Sequence, residues 1–439
     1  MTSSRLQQFI LISCSICTLI STGSSQDTSE SNNDTSSTVN SSVDHITLRS
    51  VIVITNEGLA TPQSTFSFID PQLRPEFWPE GQPVLTNLGK HQLNQMGESL
   101  RRRYSSFLTD SPREVYARSA DEDSNIETAL VLLNGAYKAH GRWRYGNSDY
   151  LPIPVHTVPT PDDCMLSIHC NCPRRKQAWD DLLNSPEIEK YKKDFESVLK
   201  LVETKTRLTS LYSQIDYVET ALLQVYQKTP VPSWITPGVT DDLKDLANEF
   251  HSMAVAYPAM LKLYVGELYD ELVKKLKAAT NTNNRRDTSQ KPKFLVYSTF
   301  TPQMSSVAYD LADINGEIPH PATSFIIELF EAPGSSFFVK LYYWQFPISR
   351  EPELVYANFT HSSSSPSTSS VPLNDLLTHL QSFTESDWKA YCGLGDSVDS
   401  GLDTLSVVLI IILCVVFASV AFTVFMIVKR SRSGYVIFK

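Results

Sequence analysis

Apolar and polar positions along the chain follow two different periods, and their alternation predicts its architecture. His45 to Arg49 lead into Val51–Ile54, a β-branched apolar run that predicts a buried strand ending near Gly58. From Thr86 to Phe107 the period lengthens, with Leu93, Met96, Gly97, Leu100 and Tyr104 at helical spacing. A second strand is expected at Glu114–Ala117, followed by Arg118-Ser119 and a helix near Ala129–Tyr137. Strand and helix in alternation favour an α/β sheet. The middle of the chain reads differently. Ser185-Pro186 is a helix start, and Ile188, Tyr191, Phe195, Val198 and Val202 continue one apolar stripe. Helical pattern runs to about Gln227, breaks at Pro230, Pro232 and Pro237, and resumes from Thr240 through Leu276. After a polar stretch, Phe294–Tyr297 predicts a third buried strand, and Phe325–Phe330 with Ser336–Trp344 around Pro333-Gly334 predicts a hairpin. The expectation is an α/β core interrupted by a helical insertion: core at 46–154 and 238–392, helical cap at 155–237.

The ends of the chain depart from this alternation. A basic start, an apolar run from Phe9 to Ile20 and small residues to Ser25 make residues 1–25 an expected signal peptide. Residues 26–45 are mostly Ser, Thr, Asn, Asp and Glu and cannot bury enough apolar surface to order themselves. Near the other end, Leu405 to Val428 are 24 residues without a charge, enough at 1.5 Å per residue to cross a bilayer. Lys429, Arg430 and Arg432 follow directly, which assigns residues 429–439 to the cytosol and residues 393–404 to a short stem. The expected topology is a single-pass type I membrane protein. Its tail holds Tyr435 and Phe438 at the spacing of a tyrosine-based sorting signal, a candidate ligand for clathrin adaptors and a pointer to lysosome, endosome or plasma membrane.

Charge narrows the class of partner. The whole chain carries −10, but residues 26–404 hold all 48 acids and only 33 bases, hence −15. Such a surface repels phosphate polymers, so nucleic acid is not an expected partner. Cys164, Cys170, Cys172 and Cys392 are the four lumenal cysteines, enough for two disulfides in three possible connectivities. Cys164, His169, Cys170 and Cys172 also supply zinc-type ligands, but the flanking residues are not those of a zinc knuckle; no metal and no cofactor is expected. Sequons at Asn33, Asn40 and Asn358 fit a glycoprotein.

Taken in order, several segments resemble the histidine acid phosphatases of the lysosomal and prostatic type. They are Trp78-Pro79-Glu80-Gly81, Leu85-Thr86-Asn87-Leu88-Gly89, Ser99–Tyr104, Pro152–Pro159, Asn171-Cys172-Pro173-Arg174, Pro232-Ser233-Trp234, Phe294–Ser298 and Asp387-Trp388 before Cys392. The resemblance spans residues 46–392 and implies the histidine phosphatase fold, a central and mainly parallel sheet flanked by helices. It also implies disulfides Cys172–Cys392 and Cys164–Cys170, and it makes a homodimer conceivable. The family's chemistry uses an Arg-His-Gly-x-Arg segment after the first strand, a further arginine after a later strand, and a His-Asp pair. The histidine attacks phosphorus, the guanidiniums clamp the oxygens, and the Asp protonates the leaving alcohol.

This sequence breaks that pattern. Aligned on Gly58 and Thr61-Pro62, the first arginine position is Asn56, the nucleophile position is Glu57 and the second arginine position is Ala60. The His-Asp positions are Phe300 and Thr301, and only Arg118 matches a family arginine. Losing two guanidinium clamps alone removes on the order of 3 to 6 kcal/mol of phosphate binding, roughly two to four powers of ten in affinity. Glu57 adds like-charge repulsion unless it pairs with Arg118 or faces water. The expectation is a pseudoenzyme with a binding or structural role for an unknown ligand; the alternative is an acid phosphomonoester hydrolase with altered or weak catalysis.

Overall fold

The computed structural model describes residues 46–62, 66–78, 80–81, 83–281, 292–345, 352–361, 370–394 and 404–433. The expected signal peptide and arm, the sequons at Asn33 and Asn40, most of the stem, and Tyr435 and Phe438 lie outside these residues. Among the described residues, eight strands form one sheet: β1 Thr47–Asn56, β2 Val115–Ser119, β3 Val155–His156, β4 Phe294–Thr299, β5 Ser324–Ala332, β6 Ser336–Gln345, β7 Glu353–Tyr356 and β8 Val371–Pro372. The order is β3-β2-β4-β1-β5-β6-β7, with β8 on β6. The strands from β3 to β1 pair in parallel, and β5 opens an antiparallel half.

Period two explains why the central strands are apolar throughout. In β1, Ile52 and Ile54 enter one hydrophobic cluster while Val51 and Val53 enter another on the opposite face. Leu295 and Tyr297 of β4 do the same against Phe294 and Val296. Both faces are therefore covered, and a strand covered on both faces reads as a continuous apolar run.

One face is covered by α1 Asn87–Arg103 and α2 Asp123–Ala136. Thr86 caps α1 by accepting the Gly89 N–H at 3.0 Å. The two helices touch through glycine: a Cβ on Gly97 would lie 2.0 Å from the Leu132 carbonyl oxygen, and one on Gly135 2.2 Å from that of Asn94. The other face is covered by α8 Pro258–Thr280, α9 Thr301–Ala312 and α10 Leu373–Phe383.

The helical layer consists of α3 Pro173–Leu183, α4 Pro186–Asp194, α5 Glu196–Thr206, α6 Leu211–Gln227 and α7 Pro237–Ala256. Its apolar cluster runs from Leu182 to Ala254 and takes in Phe66 and Leu73 from the loop after β1. Val155 and His156 pair with Ala117 and Arg118 as a sheet strand, and α7 packs with the helical layer beyond residue 237. The helical pattern expected from Thr240 through Leu276 falls on α7 and α8, divided at Tyr257-Pro258. Disulfides join Cys164 to Cys170 and Cys172 to Cys392. The last helix, α11 Thr404–Ser433, contains Ile411–Lys429, a stretch long and apolar enough to cross a membrane.

Candidate active site

Three parallel strands bring Asn56, Arg118 and Phe300 to their C-terminal ends, where open α/β sheets place ligands. Asn56 ends β1 opposite Thr299, which ends β4 one residue before Phe300. Arg118 sits on β2 opposite Tyr297 of β4. Buried Asn56 donates from Nδ2 to Thr301 Oγ1 at 3.1 Å and to the His320 carbonyl at 3.1 Å, so one amide joins the end of β1 to the start of α9. The Asn56 Oδ1 has no hydrogen-bond partner. Thr301 opens α9, and Phe300, 5% exposed, caps it without a side-chain hydrogen bond and meets His169 edge to face at 5.4 Å. Ala60 presents only backbone: it bridges to Leu85, and its carbonyl accepts from Gln227 Nε2 at 3.0 Å.

Glu57 is a carboxyl with little to hold it. Its backbone oxygen accepts the Ala322 N–H at 2.9 Å, but Oε2 is buried with no hydrogen-bond partner. Burial drives its pKa up to about 7 from 4.5, and Glu122 pushes the same way; a backbone hydrogen bond and Asn125 oppose them. Asn125 itself is buried and donates to the Thr299 carbonyl at 2.9 Å, tying the start of α2 to the end of β4.

The pairing of Glu57 with Arg118 does not form. Arg118 is 4% exposed, and its Nη2 faces Asp163 Oδ2 at 2.8 Å. Its Nη1 donates to the Ser119 carbonyl and, at 3.5 Å, to that of His156. Asp163 lies in the loop between β3 and α3, held from its other oxygen by the Leu166 N–H at 3.3 Å. Burial raises the Asp163 pKa more than Arg118 lowers it, so the ion pair is desolvated rather than solvent-stabilised. Sequence reasoning missed Asp163: it is 45 positions from Arg118 in a polar loop, and no spacing motif connects them. The zinc alternative at Cys164, His169, Cys170 and Cys172 fails on chemistry, because the three cysteines are oxidised and offer no thiolate. Sequon residue Asn358 is exposed between β7 and β8.

As an arrangement for phosphoryl transfer, the site presents the Glu57 and Asp163 carboxyls, both with raised pKa, the Asn56 and Asn125 amides, the Thr301 hydroxyl and the Phe300 ring. The Arg118 guanidinium is ion-paired with Asp163.

Comparison with known proteins fixes the family. A family model described as "Histidine phosphatase superfamily (branch 2)" matches residues 58–343. The chain belongs to this superfamily. Among curated histidine phosphatases, human lysosomal acid phosphatase is 29% identical over 356 residues, covering 79% of this chain and 80% of that one. Bovine prostatic acid phosphatase is 29% identical over 317 residues, covering 67% and 77%. Among solved structures, a Hafnia alvei phytase in complex with tartrate superposes with TM-score 0.59 at 16% identity, covering 78% of this chain and 98% of that one. The Citrobacter braakii phytase gives 0.59 at 16%, covering 77% and 98%. These two establish the histidine phosphatase fold. The matched segment begins at Gly58, immediately after the Asn56-Glu57 positions.

Proposed function

We propose that this histidine phosphatase family member is a type I membrane glycoprotein of the endolysosomal or surface membrane that no longer transfers phosphoryl groups efficiently and acts by binding. The observation that carries the reading is the fate of the one remaining family arginine. Arg118 is buried against Asp163, so a phosphate dianion would have to displace a carboxylate to reach it. The nucleophile position, Glu57, holds an acid instead of an imidazole. At the acidic pH of a lysosome a carboxyl with a pKa of about 7 is protonated, and a protonated carboxyl is not a nucleophile. That argument weighs against the alternative, a weak acid phosphatase working through Glu57. With Asn56, Ala60, Phe300 and Thr301 at the family positions, a neutral or weakly anionic ligand suits the pocket better than a phosphomonoester.

The membrane part of the proposal rests on the apolar stretch Ile411–Lys429 and on the resemblance to lysosomal acid phosphatases. The signal peptide, the sequons and the Tyr435/Phe438 signal extend it.

The test is hydrolysis of a chromogenic phosphomonoester by the full-length protein in detergent from pH 4 to 8, beside Glu57→Ala and Arg118→Ala. The expected outcome is no turnover above buffer in any of the three while circular dichroism reports a folded parent. Turnover in the parent that Glu57→Ala abolishes would replace this reading with the weak hydrolase. Turnover lost only in Arg118→Ala would mean that the arginine still reaches phosphate.

A further inference from the structure

We propose that Asp310, His361 and His379 form a binding site for one zinc-type divalent ion, apart from the family pocket and independent of the reading above. The three residues come from three segments: Asp310 from α9, His379 from α10, and His361 from the connection between β7 and β8. Their ligand atoms all lie within 4.8 Å of one another. His379 Nε2 is 2.8 Å from Asp310 Oδ2, and His361 Nε2 is 4.0 Å from Oδ1 and 2.9 Å from the Asp310 backbone oxygen. In a tetrahedral zinc site with bonds near 2.0 to 2.2 Å, ligand atoms sit roughly 3.3 Å apart. The observed 2.8 and 4.0 Å straddle that edge, so side-chain rotations rather than backbone movement would close the site.

Three features favour an ion over a plain hydrogen-bonded cluster. First, the Asp310 side chain is 4% exposed, and these two imidazoles are its ion-pairing partners among the described residues, so a buried carboxylate has no permanent cation beside it. Second, Asp310 is pre-oriented: Tyr269 donates its hydroxyl to Oδ2 at 2.7 Å, as outer partners of metal-binding carboxylates do. Third, the two rings stack at 4.0 Å and 13°, with both Nε2 atoms turned to Asp310, that of His379 to its carboxylate and that of His361 to its backbone oxygen, and Phe359 packs edge to face on both. His361 is 44% exposed and gives an ion a way in.

Two imidazoles and one carboxylate are a borderline ligand set that suits zinc, cobalt or nickel rather than magnesium or calcium. A fourth position would be left to water. Ion binding requires each ring to present a lone pair on Nε2, so a proton held there must move to Nδ1 or leave to solvent as the bond to the ion forms. Once bound, the ion would pin the segment carrying Asn358 and His361 to α9 and α10.

The experiment titrates the chelator-stripped full-length protein in detergent with Zn²⁺ against a chromogenic chelator at pH 7.4, and records the cobalt absorption spectrum. Expected are one ion per chain, a tetrahedral-type cobalt band, and affinity reduced at least about tenfold by His361→Ala, by His379→Ala and, through the outer partner, by Tyr269→Phe. Zinc should also raise the melting temperature of the parent but not of His361→Ala, whose exposed side chain makes misfolding a poor explanation. His140→Ala and His156→Ala, exposed and outside the cluster, should leave binding unchanged. Absence of stoichiometric zinc, or binding that survives both His361→Ala and His379→Ala, would overturn the proposal.

Discussion

The α/β core and the helical layer each bury a titratable side chain atom without a hydrogen-bond partner, and they solve the problem in opposite ways. In the core, Glu57 stays neutral by keeping a proton, with its pKa raised to about 7 by burial. In the helical layer, His251 on α7 stays neutral by giving one up: burial lowers its pKa to about 4, and its Nε2 is unpartnered. The same desolvation acts on both, with its sign set by which form carries the charge. The linkage to stability is therefore opposite. Glu57 makes the folded state hold a proton that the unfolded chain releases, so stability falls as pH rises from about 4.5 to about 7. His251 makes the folded state lack a proton that the unfolded chain takes up, so stability falls as pH drops from 6.5 to about 4. Between about 4.5 and 6.5 the two slopes offset each other, and the pair favours mildly acidic conditions over either extreme.

The largest effect should come from a third buried group, which the core neutralises by pairing. Asp163→Asn leaves the Arg118 guanidinium buried and unpaired, and should lower unfolding free energy by about 3 to 5 kcal/mol. Urea unfolding checks this, and Arg118→Met with Asp163→Leu should recover most of the loss. Next, His251→Leu should flatten the acid side of the stability profile. The His251 contribution alone is worth on the order of 3 kcal/mol between pH 6.5 and 4, and a variant with the same acid slope as the parent would remove His251 from the comparison. Smallest, Glu57→Gln should flatten the neutral side. That slope is worth on the order of 2 kcal/mol by pH 7, discounted because the Glu57 side chain retains some solvent contact. Melting temperatures of parent and Glu57→Gln at pH 5 and pH 7.5 measure it; an equal drop in both would mean that Glu57 ionises freely when folded.

How much of this was legible in the sequence depends on whether the relevant information is local. Strands β1 and β4 are visible because both of their faces are buried, which writes them as unbroken apolar runs. Strand β3 is invisible: two residues among prolines carry no period, and Arg118 and its neighbours define it by pairing. Helix α9 escaped notice because Gln303, Ser305, Ser306 and Asp310 are buried, which erases the polar face that marks an amphipathic helix. In the site, the assignment of Asn56 and Thr301 to family positions rests on motif order; the hydrogen bond between their side chains is a separate finding. What motif order could not supply were the partners. Asp163 beside Arg118 and the Asp310, His361 and His379 group are set by the meeting of distant segments. The disulfide pairings came from the family resemblance, since four cysteines alone allow three arrangements.

The Cys172–Cys392 bond joins residues 220 positions apart, linking the start of α3 to the end of the α/β body. Twelve positions separate Cys392 from Thr404, where α11 begins, and a chain of that length reaches at most about 40 Å. With α11 in a bilayer, the body would be a weight on a short leash. A pull on that leash would load α3 through a covalent bond and spare α10 the peeling force.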